Sequence, residues 1–331
     1  MQNTENPVRR KAALLTVLVS IIVLTLKFWA YFQTKSSSVL SDALETVVNV
    51  VAAIVGLAVI HYTLKPKDEG HPYGHGKVEY FSAAFEGGLI LFASITILAE
   101  SINFLLHPHP LQKLDIGIFY VSLATGINWL MAKYLRRVGN NVKSETLMAS
   151  SSHLMSDVVT TFGVLLSLGL VYLTGLVWID GVVTFVIAIH LLFEGSKIIR
   201  RSIAGLTDEI DDQSLLALSV AIKKNCKPGI IDIHNVRAIR SGGFHHIDAH
   251  LVIPEFWDVA MAHELAHDFE EKVVADYPYD GEFAFHLDPC KRKYCKFCDV
   301  KSCPVRQVLF EQTRSFQVKD IIGGPLYENP N

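Results

Sequence analysis

Charge is scarce in this sequence. Asp, Glu, Lys and Arg make up 19% of its 331 residues, half of all residues are hydrophobic, and the mean hydropathy is +0.31. Soluble domains usually carry about 25% charge, so this shortage excludes an ordinary soluble chain of this size. A net charge of −3 leaves no basic surplus of the kind that nucleic-acid binding requires. No cleavage site follows the first apolar run, so a removable signal is not expected. The apolar segments contain no HExxH motif and no nucleophile pair, which argues against an intramembrane hydrolase.

What is present is a series of long apolar runs between Ala12 and Gly195. A bilayer core about 30 Å thick needs ~20 helical residues. Six stretches meet that length: 13–33, 40–62, 80–106, 114–135, 146–174 and 177–197. Basic residues cluster before the first (Arg9, Arg10, Lys11), between the second and third (Lys65, Lys67, Lys77), between the fourth and fifth (Lys133, Arg136, Arg137, Lys143), and after the sixth (Lys197, Arg200, Arg201). The opposite loops offer little beyond Lys35 and Lys113, so both termini are expected in the cytoplasm. Lys27 falls inside the first span near its outer end, where snorkelling would rescue it.

After Arg201 the pattern changes to helix (211–224), strand (230–239), strand (244–253), helix (258–274) and strand (281–287), with Ser241-Gly242-Gly243 as the turn between the first two strands. The expected fold is an α-helical membrane protein in which six transmembrane helices precede a cytoplasmic α+β ferredoxin-like domain. The expected divisions are a transmembrane domain over 1–205, a dimerisation and metal-binding domain over 206–290, and a cysteine-containing tail over 291–331.

Ionisable groups inside a membrane usually line a cavity, pair with one another or bind substrate. The second span carries Asp42, Glu45 and Asn49, and the fifth carries His153 and Asp157. Glu45/Asn49 and His153/Asp157 are both spaced i, i+4, so each pair projects from one helix face. If the two faces meet, two carboxylates, an amide and an imidazole converge, a donor set suited to a divalent ion of mixed nitrogen and oxygen preference. Ionised Glu45 and Asp157 supply a charge of −2. The alternative is hydrogen bonding between packed helices. Asp42 is read as a helix-start residue in preference to an outer ligand.

Three segments together resemble the cation diffusion facilitator family: Ser41-Asp42-Ala43-Leu44-Glu45 through Asn49, the loop His71-Pro72-Tyr73-Gly74-His75-Gly76-Lys77, and His153-x-x-x-Asp157. The resemblance runs from about Lys11 to Cys290. It implies a proton-coupled antiporter of Zn²⁺, Fe²⁺, Mn²⁺ or related ions, of the bacterial zinc/iron efflux type, working as a homodimer in the inner membrane. Glu45, Asn49, His153 and Asp157 fall at its transport site. The sequence departs from the common pattern, since zinc exporters usually carry Asp or His in place of Glu45 and Asp in place of Asn49.

Asp68, His71 and His75 match a second family site, and their spacing alone permits three ligands. Lys77 and Asp208 fall where similar proteins join their membrane and soluble domains by an ion pair. His234, His250, His263, His286 and Asp288 occupy the metal positions of the family's dimerisation module, while His245, His246 and His267 are expected on the solvated surface.

Cys290, Cys295, Cys298 and Cys303 follow a C-x₄-C-x₂-C-x₄-C spacing. Four thiols so close in a reducing compartment favour a structural Zn²⁺ over disulfides, with free thiols as the alternative. The expected function is metal export in exchange for protons, with divalent metal as substrate and regulator. The competing reading is a membrane-anchored metal sensor or scaffold with little transport.

Overall fold

The computed structural model describes residues 7–63, 65–141 and 145–326. Lys143 lies outside the described residues, as do 1–6 and the end of the tail at 327–331, and the description does not extend to the side chains of Arg9 and Arg10. Among the described residues, six helices are long and apolar enough to cross a membrane. They are α1 (Pro7–Thr34), α2 (Ser37–Thr63), α3 (Val78–Leu106), α4 (Leu114–Asn141), α5 (Glu145–Thr174) and α6 (Trp178–Leu206). Every expected span falls on one of them. Most structured ends run beyond the apolar limits, because a helix continues into the interface wherever its backbone bonds are satisfied internally.

By contacts the chain forms two compact units, Met1–Val59 with Ser82–Arg201, and Ile60–Phe81 with Ser202–Asn331. Within the first, Ala12, Met131, Ala132, Leu135 and Leu154 pack α1, α4 and α5 together. Val48, Ala93, Ile97, Ala188 and Leu191 do the same for α2, α3 and α6. A Cβ at Gly87 of α3 would stand 2.8 Å from Ile199 and 3.1 Å from the Gly195 carbonyl of α6, so glycine permits that close crossing.

The start of α2 is fixed by a carboxylate from another helix. Fully buried Asp180, in the first turn of α6, accepts from the Ser37 backbone N–H at 2.7 Å and the Ser36 hydroxyl at 2.8 Å. An anion at a helix N-terminus meets unpaired N–H groups and the positive end of the dipole. This contact anchors the helix that carries Glu45 and Asn49.

In the second unit, α7 (Asp212–Asn225), β1 (Asp232–Ser241), β2 (Phe244–Ile253), α8 (Val259–Asp276) and β3 (Asp280–Pro289) follow in the expected order. The sheet runs β1-β2-β3, with β1 antiparallel and β3 parallel to β2. Leu218 and Ile222 of α7 and Phe269 and Val273 of α8 pack with Ile233, Ile247, Leu251 and Phe283 of the strands in one core. Beyond β3, a 3₁₀ turn (Arg292–Phe297) and a short helix, α9 (Val318–Ile322), complete the described chain.

Candidate metal centres

In the membrane unit, one residue of each i, i+4 pair meets the other between α2 and α5. The Asn49 amide of α2 donates to Asp157 Oδ2 of α5 at 2.9 Å. His153 Nε2 lies 4.0 Å from Asp157 Oδ1, with His153 half exposed and Asp157 buried. Glu45 sits one turn before Asn49 and is close enough to Asp157 for their charges to interact. The structure does not draw Glu45, His153 and Asp157 into a group with ligand atoms all within 4.8 Å.

Two expectations fail beside this site. Lys27 does not snorkel: it is 1% exposed and donates to Asp42 Oδ1 at 2.8 Å and Thr161 Oγ1 at 3.3 Å. Asp42 is therefore the buried partner of a lysine and not merely a helix-start residue. Once buried, the ammonium needs a partner, because an unpaired charge in the interior is what costs most, and Asp42 supplies it.

In the second unit, Asp68, His71 and His75 bring ligand atoms within 4.8 Å of one another. Asp68 Oδ1 accepts from the His71 backbone N–H at 2.7 Å and lies 3.0 Å from His71 Nδ1, while its Oδ2 lies 3.3 Å from His75 Nε2. The His71 hydrogen bond holds the Asp68 carboxyl below the usual range, which keeps it an acceptor. His75 is buried and its Nδ1 has no hydrogen-bond partner. Two residues on, Lys77 pairs with Asp208 at 2.8 Å.

The third centre is a consequence of strand register. His234 of β1 pairs across from His250 of β2, which pairs in turn with His286 of β3. The rings of His234 and His250 are 5.2 Å apart and those of His250 and His286 4.8 Å. Asp288, two residues along β3 and so on the same face, lies 3.0 Å from His250 Nδ1 and 3.4 Å from His234 Nε2. His234, His250 and Asp288 gather within 4.8 Å, and His286 approaches Asp288 at 3.4 Å. His234 is 1% exposed, yet neither ring nitrogen makes a hydrogen bond. Burying an unsatisfied polar group costs about 1–3 kcal/mol, and a coordinated cation removes that penalty, so this donor set fits a metal.

His263 is not brought to this cluster. It lies exposed on α8, its ring stacked on His267 at 6.1 Å. Sequence reasoning missed that His263-Glu264-Leu265-Ala266-His267 has HExxH spacing outside the apolar segments. His245 and His246 also depart from expectation, since both are buried. Adjacent strand residues point to opposite faces, and here both faces are covered: Tyr277 meets His245 Nδ1 at 2.8 Å, and Glu282 meets His246 Nδ1 at 2.6 Å.

The four tail thiols do not form a group with sulfurs within 4.8 Å. Cys290 and Cys298 instead pack with Ile231, Val252, Tyr294 and Phe297 in a small apolar cluster. Arg306 fastens the segment by donating to the carbonyls of Cys298 at 2.9 Å and Val300 at 2.6 Å. Burial pushes the Cys290 and Cys298 thiols above the usual thiol range.

Residues 13–207 match the cation efflux transmembrane domain, and residues 219–290 match the cation efflux protein cytoplasmic domain. This chain belongs to the cation efflux family. It is 32% identical over 281 residues to the uncharacterized transporter sll1263 of Synechocystis sp., covering 85% of this chain and 90% of that one. It is 27% identical over 283 residues to the cation-efflux pump FieF of Yersinia pestis, covering 85% and 93%, and equally similar to the pump of that name from Yersinia pseudotuberculosis. Members of the cation efflux family are transporters and not enzymes, so the chain is a multi-pass membrane protein that exports metal cations. Its match to the family's cytoplasmic domain supports dimer formation.

Proposed function

We propose that the chain is a proton-coupled antiporter exporting a divalent transition metal, with Zn²⁺ the first choice and Fe²⁺ or Mn²⁺ next. It works as a homodimer in a bacterial inner membrane with both termini cytoplasmic. The observation that carries this reading is the 2.9 Å hydrogen bond from Asn49 to Asp157, which turns the Glu45/Asn49 face of α2 toward the His153/Asp157 face of α5. Glu45 and Asp157 supply the charge that a divalent ion needs once its water is stripped, and His153 adds a nitrogen donor.

Metal and protons compete for the same donors, because coordination requires deprotonated ligands. A cytoplasm-facing state takes up metal as the ligands lose protons. A state facing a more acidic exterior returns protons and releases the ion. Helix rocking or shear supplies the alternation.

The cytoplasmic centres serve regulation. His234, His250 and Asp288, with His286 beside them, would hold a cation whose coordination stabilises the associated soluble domains. Asp68, His71 and His75 form a separate candidate in the loop between α2 and α3. The tail cysteines are proposed as a structural Zn²⁺ site only if the thiols close together on binding.

The test is Zn²⁺ entry into vesicles that contain the purified protein and a trapped metal-sensitive dye. Uptake driven by an imposed pH gradient is the expected result. Tight binding without uptake would favour the sensor reading.

A further inference from the structure

The metal-binding reading leaves one buried charged group without a task. Lys27 of α1 is 1% exposed, and its Nζ lies 2.8 Å from Asp42 Oδ1 and 3.3 Å from Thr161 Oγ1. Thr161, fully buried on α5, places the same hydroxyl 2.7 Å from Asp42 Oδ1 and 2.8 Å from the Asp157 backbone carbonyl. One lysine thus joins three helices. The other Asp42 oxygen, Oδ2, is buried with no partner.

Position gives this network a bearing on the cargo. Asp42 precedes Glu45 by three residues and shares its side of α2, and Thr161 follows Asp157 by four on α5. The charges of Lys27 and Asp42 act on both Glu45 and Asp157. In a low-dielectric interior a carboxylate one helical turn from Glu45 would compete for the ion unless it were neutralised. Counting Glu45, Asp157 and Asp42 as −3 and Lys27 as +1 leaves −2, which a divalent cation cancels.

We propose that Lys27 is a chain-borne counter-cation of the transport site, a positioning residue that neutralises Asp42 and sets the charge facing the cargo at −2. This rests on the reading of Glu45 and Asp157 as cargo-binding carboxylates. Removing the ammonium releases a third carboxylate next to the ion, which holds the metal too tightly to release. Removing only Asp42 leaves the ammonium to repel the ion. Removing both restores the count.

The experiment measures KM and kcat for Zn²⁺ uptake by the full-length protein in vesicles at fixed pH, with thermal melting in detergent as the folding control. Lys27→Met is expected to lower kcat by about tenfold and to lower KM as well. Asp42→Asn is expected to raise KM by about tenfold, and the Lys27→Met/Asp42→Asn double variant to recover kcat to within about threefold of wild type. A double variant no faster than Lys27→Met, or an Asp42→Asn protein with unchanged KM, would overturn the proposal and leave Lys27 a packing residue. If Lys27→Met does not fold, Asp42→Asn and the double variant decide alone. Zn²⁺ uptake by Glu45→Ala at the wild-type rate would overturn the cargo-site reading, and this one with it.

Discussion

The soluble sheet holds His234, His250 and Asp288 with ligand atoms within 4.8 Å, whereas Glu45, His153 and Asp157 in the membrane do not gather so closely. The difference follows from what fixes each set. Strand register places three histidines side by side, and backbone hydrogen bonds on both sides of β2 hold them there. The membrane donors stand on two separate helices whose spacing is set by packing and by single contacts such as Asn49 to Asp157. A centre built on register is assembled before its ion arrives and suits retention. A centre built across helices closes and opens with them, which suits cargo that must leave.

That contrast can be broken by substitution. His234→Ala takes away the buried imidazole with two unsatisfied nitrogens, so metal retained by the full-length protein should weaken about 100-fold at that centre, as followed by calorimetry. Vesicle transport should persist, though with altered regulation. Equal loss of transport would show that the two centres do not divide the work. Asn49→Asp adds a carboxylate to the membrane set and should tighten Zn²⁺ binding about tenfold, an effect of roughly 1.4 kcal/mol. Unchanged affinity would place residue 49 outside the coordination sphere.

The pH dependence of the soluble unit is a smaller effect. Burial and the nearby Arg240 charge hold the His245 imidazole below the usual range, opposed by Asp211 and assisted by His246. The unfolded chain therefore binds this proton more readily than the native one. The stability it contributes is full above about pH 6.5 and declines as pH falls toward the depressed native value. Thermal melts between pH 7.5 and about 5 should show the decline, and His245→Asn should flatten part of it. An identical slope in both proteins would remove His245 from the account.

The smallest effect concerns the tail. Buried Cys290 and Cys298 should be alkylated more slowly than the partly exposed Cys303 in metal-free protein. Added Zn²⁺ should slow labelling of all four. Labelling that ignores Zn²⁺ would reduce the segment to apolar packing.

Much of this organisation was legible in the sequence, because span length and alternating strands are local patterns. The two i, i+4 pairs were legible for the same reason, and their helices meet. Lys27 was not. Its partners lie 15 and 134 residues away, and a lysine near a helix end reads equally well as snorkelling. The burial of His245 and His246 was hidden because polar neighbours in a strand look half solvated, and only the tertiary fold supplies Tyr277 and Glu282 to cover both faces. The place of His263, exposed on α8 and outside the His234 cluster, was likewise not legible from its residue type.

The most direct measurement is the Zn²⁺ flux of Asp157→Ala in vesicles under a pH gradient, with metal binding at the soluble centre followed in the same preparation. The account predicts no flux and undiminished cytoplasmic binding. Flux at the wild-type rate would contradict it, because Asp157 would then not belong to the path of the ion.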